Sequence, residues 1–339
     1  MKLASYKCGR DGKLMVVSRN LANAVPASEV IGNMQGLLDN WSELAPRLNQ
    51  ISDALNRGER KDAEPFDIGS CAAPLPRAYS WNDGSVYLNH MRLLKQLLGI
   101  EMPSEGPQTP AMYQGGSDTF LGPLDDIVLP KADEWGLDYE AELAVITDDI
   151  PMGVGAADAL DYVRLVTIIN DISYRTLLGP EMQSGFGPIV SKPSTSFAPV
   201  VATPDELGEA WHDGRLSMTM VTSLNGSVMG RPNAGQGMAF TFRDLIAHLV
   251  RSRHVGAGAI IGTGTVSNEQ PLNSAEVTKG GVGASCIAEL RTIEKLVTGE
   301  YRTPFLKFGD RVRIEMLDSE GRSVFGAMDQ QVVLHEPLG

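Results

Sequence analysis

From about residue 70 onwards, short apolar segments alternate with glycine and proline at intervals too close for long helices. The chain has 36 glycines and 20 prolines among its 339 residues. Because glycine and proline interrupt regular structure and mark turns, this spacing favours many short strands. We therefore predict a strand-rich α+β fold rather than a doubly wound parallel sheet.

Three local patterns within this region predict particular elements. Asn225-Gly226 separates two apolar segments, and this dipeptide accepts the positive φ angles of a type I′ turn, which predicts a hairpin. Residues 242–255 have the apolar spacing of a helix. Residues 312–316 and 324–334 predict a closing antiparallel meander.

The first 70 residues have a different pattern. Short strands flank a turn at residues 9–12, and apolar side chains then recur every three or four residues from Ser28 to Arg60. That spacing predicts a helical segment with Ser28 as its N-cap. An acidic and then proline-rich stretch at residues 61–76 has the character of a linker. We predict a small N-terminal domain at 1–70 and a larger domain at 71–339.

Charge and cysteine content exclude several classes of function. A net charge of −13 argues against binding nucleic acid or an anionic membrane surface, since both depend on clustered lysine and arginine. The three cysteines are widely spaced and form no C-x-x-C pair, so we expect neither a disulfide framework nor a thiolate zinc site. No apolar run reaches the roughly 18 residues that span a bilayer. We expect a cytoplasmic protein.

An acidic motif over residues 138–142 is the strongest chemical signal. If residues 139–146 form a strand, Glu140 and Glu142 project from the same face. Asn170-Asp171 follows later in the chain. Such an oxygen cluster suits hard cations, because a cation neutralises the repulsion between like charges. Taken alone, the motif also fits a solvated strand face.

The acidic residues belong to a series of motifs spread over residues 83–289. In order, these are Asp83 and His90 seven residues apart, Tyr113-Gln-Gly-Gly, Asp138-Tyr-Glu-Ala-Glu-Leu, Asn170-Asp-Ile-Ser-Tyr-Arg175, Ser191-Lys192-Pro, Gly262-Thr-Gly-Thr265 and Cys286-Ile-Ala-Glu289. This series resembles the fumarylacetoacetate hydrolase family over about residues 70–335, and residues 1–70 are similar to the N-terminal domain of its fumarylacetoacetase members. The resemblance implies a mixed β-roll catalytic domain, a homodimer and a divalent metal.

The resemblance implies four metal ligands: Asp83, Glu140, Glu142 and Asp171. Their surplus negative charge would favour Mg²⁺ or Ca²⁺, with Mn²⁺ also compatible. From the residues alone, Asp83 also fits a turn at Asn82-Asp83-Gly84. Asp171 equally fits a helix or strand cap.

The resemblance also implies a catalytic group. His90 would act as general base, Glu289 would orient it, and Lys192 would stabilise developing negative charge. By residue type alone, His90 also fits a structural histidine and Lys192 a solvated loop lysine. Glu289, likewise, also fits a charged residue at the end of a strand.

The resemblance also implies contacts with the substrate. Tyr113 and Thr265 would donate hydrogen bonds to it, and Arg175 would bind a carboxylate in a bidentate manner. Without the resemblance, Tyr113 fits a packing residue and Thr265 a strand residue. The chain departs from the family pattern at Leu178, where a glutamine is common.

A second departure lies near His90. The arginine of fumarylacetoacetases, expected nine residues after the histidine, falls on Gly99. Arg92 or Lys95 are alternative cations, although a helix at 91–98 would point them elsewhere.

The sequence thus predicts a metal-dependent hydrolase that cleaves a carbon–carbon bond in a small β-diketo acid. Fumarylacetoacetate or a close acylpyruvate is the expected substrate, in aromatic amino-acid catabolism such as tyrosine degradation. A sister activity is the alternative: oxaloacetate decarboxylation, or isomerisation or hydration of a keto acid. A third hypothesis is a binding protein without turnover, against which His90 and Glu289 argue.

Overall fold

The structure is a computed structural model that describes residues 1–97, 99, 106–130 and 134–335. Its α-helices are α1 (Met34–Leu38), α2 (Trp41–Asn56), α3 (Leu88–Leu97), α4 (Arg175–Ser184), α5 (Phe242–Leu249) and α6 (Ile287–Thr298). Its strands are β1 (Lys2–Tyr6), β2 (Lys13–Val17), β3 (Asn23–Pro26), β4 (Glu64–Pro65), β5 (Trp81–Gly84), β6 (Met112–Gly115), β7 (Ile127–Leu129), β8 (Leu137–Asp138), β9 (Ala141–Thr147), β10 (Val163–Asn170), β11 (Ser173–Tyr174), β12 (Ser196–Phe197), β13 (Val201–Ala202), β14 (Trp211–His212), β15 (Arg215–Leu216), β16 (Thr219–Leu224), β17 (Ser227–Gly230), β18 (Ile260–Gly262), β19 (Arg311–Leu317) and β20 (Met328–Leu334). This confirms the strand-rich α+β class.

One large mixed sheet runs through both ends of the sequence. Its strand order is β4-β3-β2-β1-β13-β10-β9-β18-β5-β6, with β12 also paired to β10. The strands of the first 70 residues join the rest through β1 and β13, where Lys2 lies opposite Ala202. The β18–β5 pair is parallel, whereas its neighbours are antiparallel. The boundary at residue 70 stays a prediction.

A second sheet has the order β17-β16-β19-β20-β7. Its β16–β17 hairpin turns at Asn225 (φ 50°) and Gly226 (φ 81°), the positive angles of the predicted type I′ turn. Strands β19 and β20 are antiparallel, so the hairpin and the closing meander are both confirmed.

Both faces of β9 are buried. Leu143 and Val145 pack into a core with β10 and α5, whereas Ala144 and Ile146 pack into a second core with α2. Every residue of β9 is buried. The solvated-face interpretation of Glu142 is therefore wrong, because that side chain, in β9, is 0% exposed.

Two helix boundaries differ from the prediction. Ser28 is not an N-cap: α1 begins after Asn33, whose side chain accepts from the Gly36 amide at 2.8 Å. Helix α5 ends at Leu249 instead of reaching Val255, because Val255 forms a β-bridge with Ile150 that needs extended backbone. Among the described residues, no helix combines the length and apolar character that crossing a bilayer requires.

Candidate metal centre and active site

Adjacent strands of the large sheet bring three carboxylates together. Asp83 lies in β5, Glu142 in β9, and Asp171 directly after β10. Because β5, β18, β9 and β10 are consecutive in the sheet, residues far apart in sequence meet here. One oxygen from each carboxylate lies within 4.8 Å of the others, and all three residues are buried.

The intervening strand β18 leaves room for Asp83. A Cβ at Gly262 would collide with the Asp83 Oδ1 atom, so only glycine fits opposite this carboxylate. Two residues on, Gly264 has φ 78° and its amide donates to Asp83 Oδ1 at 3.0 Å. The Gly262-Thr-Gly-Thr265 motif therefore shapes the site through its backbone.

The electrostatics of the three carboxylates fit a divalent cation. Burial, then Asp83 and Asp171, raise the pKa of Glu142 well above its ordinary value, and burial raises the pKa of Asp83 to about 8. Within the described part of the chain, both carboxylate oxygens of Glu142 are buried without a hydrogen-bond donor. Such groups are costly unless a partner satisfies them. An oxygen-ligated hard cation is such a partner.

Glu140 makes different contacts. Its Oε2 accepts from Lys192 Nζ at 2.7 Å, and its Oε1 lies 2.5 Å from Arg175 Nη1. Although burial opposes the charged form, Arg175 and Lys192 hold the pKa of Glu140 below its ordinary value, and His90 contributes in the same direction. Glu140 thus stays ionised beside the three carboxylates, and its metal ligation stays a prediction.

Lys192 lies against Asp171 as well. Its Nζ is 2.5 Å from Asp171 Oδ2, which also accepts from the Tyr113 hydroxyl at 2.5 Å. Thr195 donates to the other oxygen at 3.0 Å. Burial opposes the charge on Lys192, but Asp171 and Glu140 raise its pKa. The site therefore holds a buried ammonium next to the carboxylates.

His90 and Glu289 form a pair on two packed helices. His90 lies in α3 and Glu289 in the first turn of α6, not at a strand terminus; His90 Nδ1 is 2.9 Å from Glu289 Oε2. The other Glu289 oxygen accepts from Ser267 at 2.8 Å, and Asn89 donates to Ser267 at 2.9 Å. A carboxylate at Nδ1 favours the tautomer that leaves Nε2 as a proton acceptor.

Asp138 connects Arg175 to the start of α6. It accepts from the amides of Ile287 and Ala288 at 2.8 and 2.9 Å, and from Arg175 Nε at 2.8 Å. This geometry places Asp138 at the positive end of the helix that carries Glu289. Arg175 is therefore held between Asp138 and Glu140.

Two further residues named from the sequence, Thr265 and Arg92, are close in sequence to Gly264 and His90. Thr265 is 5% exposed and follows β18. Arg92, an alternative to the missing family arginine, lies in α3 with its Nη1 2.8 Å from Glu269. The substrate-binding roles of Tyr113, Arg175 and Thr265 stay predictions.

Sequence reasoning missed four residues that support the site. They are Asn89, Asp138, Thr195 and Ser267, each with a side-chain hydrogen bond to a site residue or to its partner. Asp138 opens the acidic motif and Thr195 follows Lys192 by three residues, so position within the motifs was the available signal. The partners of Asn89 and Ser267 are long-range, and local sequence carries no sign of them.

Comparison with known families agrees with this geometry. The model of the fumarylacetoacetate hydrolase C-terminal domain matches residues 80–333, and that of the fumarylacetoacetase N-terminal domain 2 matches residues 1–77. The chain belongs to the fumarylacetoacetate hydrolase family. The resemblance is confirmed, and the chain is an enzyme of this superfamily.

Individual relatives are distant. An uncharacterized protein of Pyrococcus horikoshii is 31% identical over 175 residues, which is 51% of this chain and 73% of that protein. The mitochondrial oxaloacetate tautomerase Fahd2a of Rattus norvegicus is 28% identical over 162 residues, 47% of this chain and 49% of that protein. A solved maleylpyruvate hydrolase from Sphingobium sp. SYK-6, in complex with manganese(II) and pyruvate, has a TM-score of 0.64 at 18% identity and covers 99% of this chain and 100% of that one. At that identity the likeness is one of fold.

Proposed function

We propose that this enzyme hydrolyses a carbon–carbon bond in a β-diketo acid, with fumarylacetoacetate or a close acylpyruvate as substrate. The observation that carries the proposal is the His90–Glu289 pair at 2.9 Å. His90 also helps to lower the pKa of Glu140, which lies beside the acidic cluster of Asp83, Glu142 and Asp171. Hydrolysis needs a base that activates water, whereas binding or enolisation alone does not. Ser267 and Asn89 support the same pair, as expected of a positioned base.

Asp83, Glu142 and Asp171, with Glu140 beside them, would hold Mg²⁺, Ca²⁺ or Mn²⁺. When bound, the cation would supply Lewis acidity to the two chelating oxygens of a diketo acid. The manganese and pyruvate in the maleylpyruvate hydrolase structure support this assignment by analogy. The donor set consists entirely of carboxylates, which suits hard cations.

His90 would take a proton from water as the oxygen adds to the distal carbonyl carbon. Glu289 holds the ring and stabilises the imidazolium that forms. The carbon–carbon bond then breaks, its electron pair passes to the leaving enolate, and His90 returns the proton to that product. Lys192 stabilises the charge that develops on the enolate. Tyr113 and Thr265 would donate to the substrate, and Arg175 would bind its carboxylate end.

A keto-acid tautomerase, isomerase or decarboxylase is the second candidate. The similarity to the rat oxaloacetate tautomerase favours it, as does the 4-hydroxyphenylacetate degradation bifunctional isomerase/decarboxylase of Escherichia coli at 28% identity over 211 residues. Such reactions move protons without adding water to a ketone. The two candidates therefore differ in their need for a water-activating base.

An absorbance assay that follows loss of the conjugated enol tests the proposal. Fumarylacetoacetate, several acylpyruvates and oxaloacetate are compared with Mn²⁺, with Mg²⁺ and with chelator. We expect metal-dependent cleavage that yields two acids and is lost in His90→Gln. Tautomerisation of oxaloacetate at full rate in that variant, without cleavage of any diketo acid, would transfer the proposal to the second candidate.

We also propose that the enzyme is a homodimer with a role in aromatic amino-acid catabolism. Sedimentation equilibrium measures the oligomeric state. Growth of a deletion strain on tyrosine measures the role in catabolism.

A further inference from the structure

Lys192 follows an exposed segment that has little packing of its own. After α4, Gly185 (φ 81°) and Gly187 (φ 89°) adopt left-handed conformations. The side chains of Phe186 and Ile189 are 93% and 76% exposed. Within residues 185–190 only Pro188 is buried. Such a glycine-rich segment gives the residue that follows it little support through packing.

The carboxylate of Glu181, near the end of α4, fastens this segment by accepting hydrogen bonds from residues 189–191. It accepts from the backbone amides of Ile189, Val190 and Ser191 at 3.0, 2.9 and 3.0 Å. It also accepts from the Ser191 hydroxyl at 2.5 Å. Four donors within three consecutive residues therefore converge on one side chain, immediately before Lys192.

The other side of Ser191 is held as well. Its carbonyl accepts from the amide of Tyr174 at 2.8 Å, next to Arg175. The backbone at residue 191 is thus fixed from two directions. One residue later, Lys192 Nζ lies 2.5 Å from Asp171 and 2.7 Å from Glu140.

We propose that Glu181 is a positioning residue for Lys192: by fastening residues 189–191 it holds the ammonium against Asp171 and Glu140, where the reaction needs positive charge. The catalytic part of this inference rests on the proposed function. Among the described residues, the hydrogen bonds that Glu181 accepts come from residues 189–191 and not from the acidic cluster, so it acts through another residue.

The chemistry of a carboxylate suits this task. Glu181 Oε2 accepts from the amides of Ile189 and Ser191 and from the Ser191 hydroxyl, and Oε1 accepts from the Val190 amide. Both carboxylate oxygens are therefore used, whereas the amide of glutamine accepts through one oxygen only. The Ser191 hydroxyl and the amides of Val190 and Ser191 lower the pKa of Glu181 to about 2, so it remains charged at neutral pH. Glu181→Gln therefore keeps the size of the side chain and removes half of its accepting capacity.

Glu294 provides a matched control. It accepts from the amides of Arg302 and Thr303 at 2.8 and 3.0 Å and from the Thr303 hydroxyl at 2.6 Å. It thus fastens a surface loop by the same chemistry, but that loop does not carry a residue of the site. Glu294→Gln should loosen its own loop without effect on Lys192.

The test is a double-mutant cycle of Glu181→Gln and Lys192→Met, with Mn²⁺ affinity as a readout that needs no substrate. Lys192→Met removes a cation from beside the acidic cluster and should tighten Mn²⁺ binding, on the order of tenfold. Glu181→Gln should tighten it by about threefold in the wild-type background and leave it unchanged in the Lys192→Met background. Glu294→Gln should not change it in either.

Kinetics and amide exchange complete the test. If Lys192 stabilises the transition state, Glu181→Gln lowers kcat by about tenfold with little change in KM, and again has no further effect on Lys192→Met. Amides 189–191 should exchange faster in Glu181→Gln and at the wild-type rate in Glu294→Gln. Additive effects in the cycle, or unchanged exchange of these amides, would overturn the role of Glu181. Failure of the hydrolase proposal alone would remove the kinetic result but leave the Mn²⁺ cycle intact.

Discussion

Replacing Glu142 by glutamine should have opposite effects on the protein with and without metal. Glu142 is 0% exposed, and its two oxygens lie among the described residues without a donor. Without metal, burial and the neighbouring Asp83 and Asp171 disfavour its charge, which appears as a raised pKa. Glutamine has the same shape and no charge. Glu142→Gln removes the repulsion from Asp83 and Asp171 and supplies N–H donors beside these carboxylates. It should therefore stabilise the chelated protein by about 1.5–3 kcal/mol, the range for a hydrogen bond to a charged group.

With metal the sign reverses. Loss of one of three clustered carboxylates should weaken Mn²⁺ binding by at least about 100-fold, roughly 2.7 kcal/mol, and the stabilisation by saturating metal shrinks by that amount. For a chain of this length, each kcal/mol moves the melting temperature by about 1–3 °C. Differential scanning calorimetry at pH 8, with chelator and with Mn²⁺, measures both effects.

Glu206 supplies the control. Its carboxylate is also buried, but it has a partner, since Arg19 Nε donates to it at 2.6 Å. Glu206→Gln should lower the melting temperature equally with and without metal. A chelated Glu142→Gln protein that melts below wild type, or one that keeps wild-type Mn²⁺ affinity, would refute the assignment of Glu142 to a metal site.

Three further predictions follow from the same contacts. His90→Gln should lower the rate of hydrolysis by about 10²–10⁴-fold, as for loss of a general base. Its Mn²⁺ affinity, measured by calorimetry, should stay within about twofold of wild type, because His90 lies outside the carboxylate cluster. The pKa of Asp83 is about 8 in the folded metal-free protein and 3.8 as an unperturbed group, so the folded state holds a proton that the unfolded chain has lost. The free energy of unfolding of the chelated protein, measured in urea, should therefore fall as pH rises from about 4 to 8, by about 1.4 kcal/mol per pH unit for each such proton. Mn²⁺ binding should tighten over the same range. A free energy of unfolding that does not depend on pH would contradict this. Asp138→Asn should cost about 1–3 kcal/mol in urea unfolding, since it removes one of two buried carboxylates that pair with Arg175 and weakens the start of α6; a loss below about 0.5 kcal/mol would show that the contact contributes little.

Local sequence was a good guide wherever structure depends on neighbouring residues. The Asn225-Gly226 hairpin is confirmed because the turn needs positive φ angles that these two residues tolerate. The predicted start of the first helix was wrong because Ser28 and Asn33 are both acceptable caps. The backbone on both sides of Ser28 hydrogen-bonds to Leu14 instead, through the Ala27 amide and the Gly32 carbonyl. The end of α5 was wrong for a related reason: Val255 pairs with Ile150, 105 positions earlier.

Within the site, too, some features follow from local sequence and others from long-range contacts. Residue type and motif order were enough to place the chain in its family and to name the acidic residues. Tertiary structure decided which carboxylates meet: Asp83, Glu142 and Asp171 cluster because β5, β18, β9 and β10 are neighbours in the sheet, whereas Glu140 pairs with Lys192 and Arg175. It alone showed that Glu181 fastens the segment before Lys192. Turn preference and side-chain chemistry are properties of a few adjacent residues and can be read from the chain, whereas strand order, burial and charge pairing depend on distances that exist only after folding.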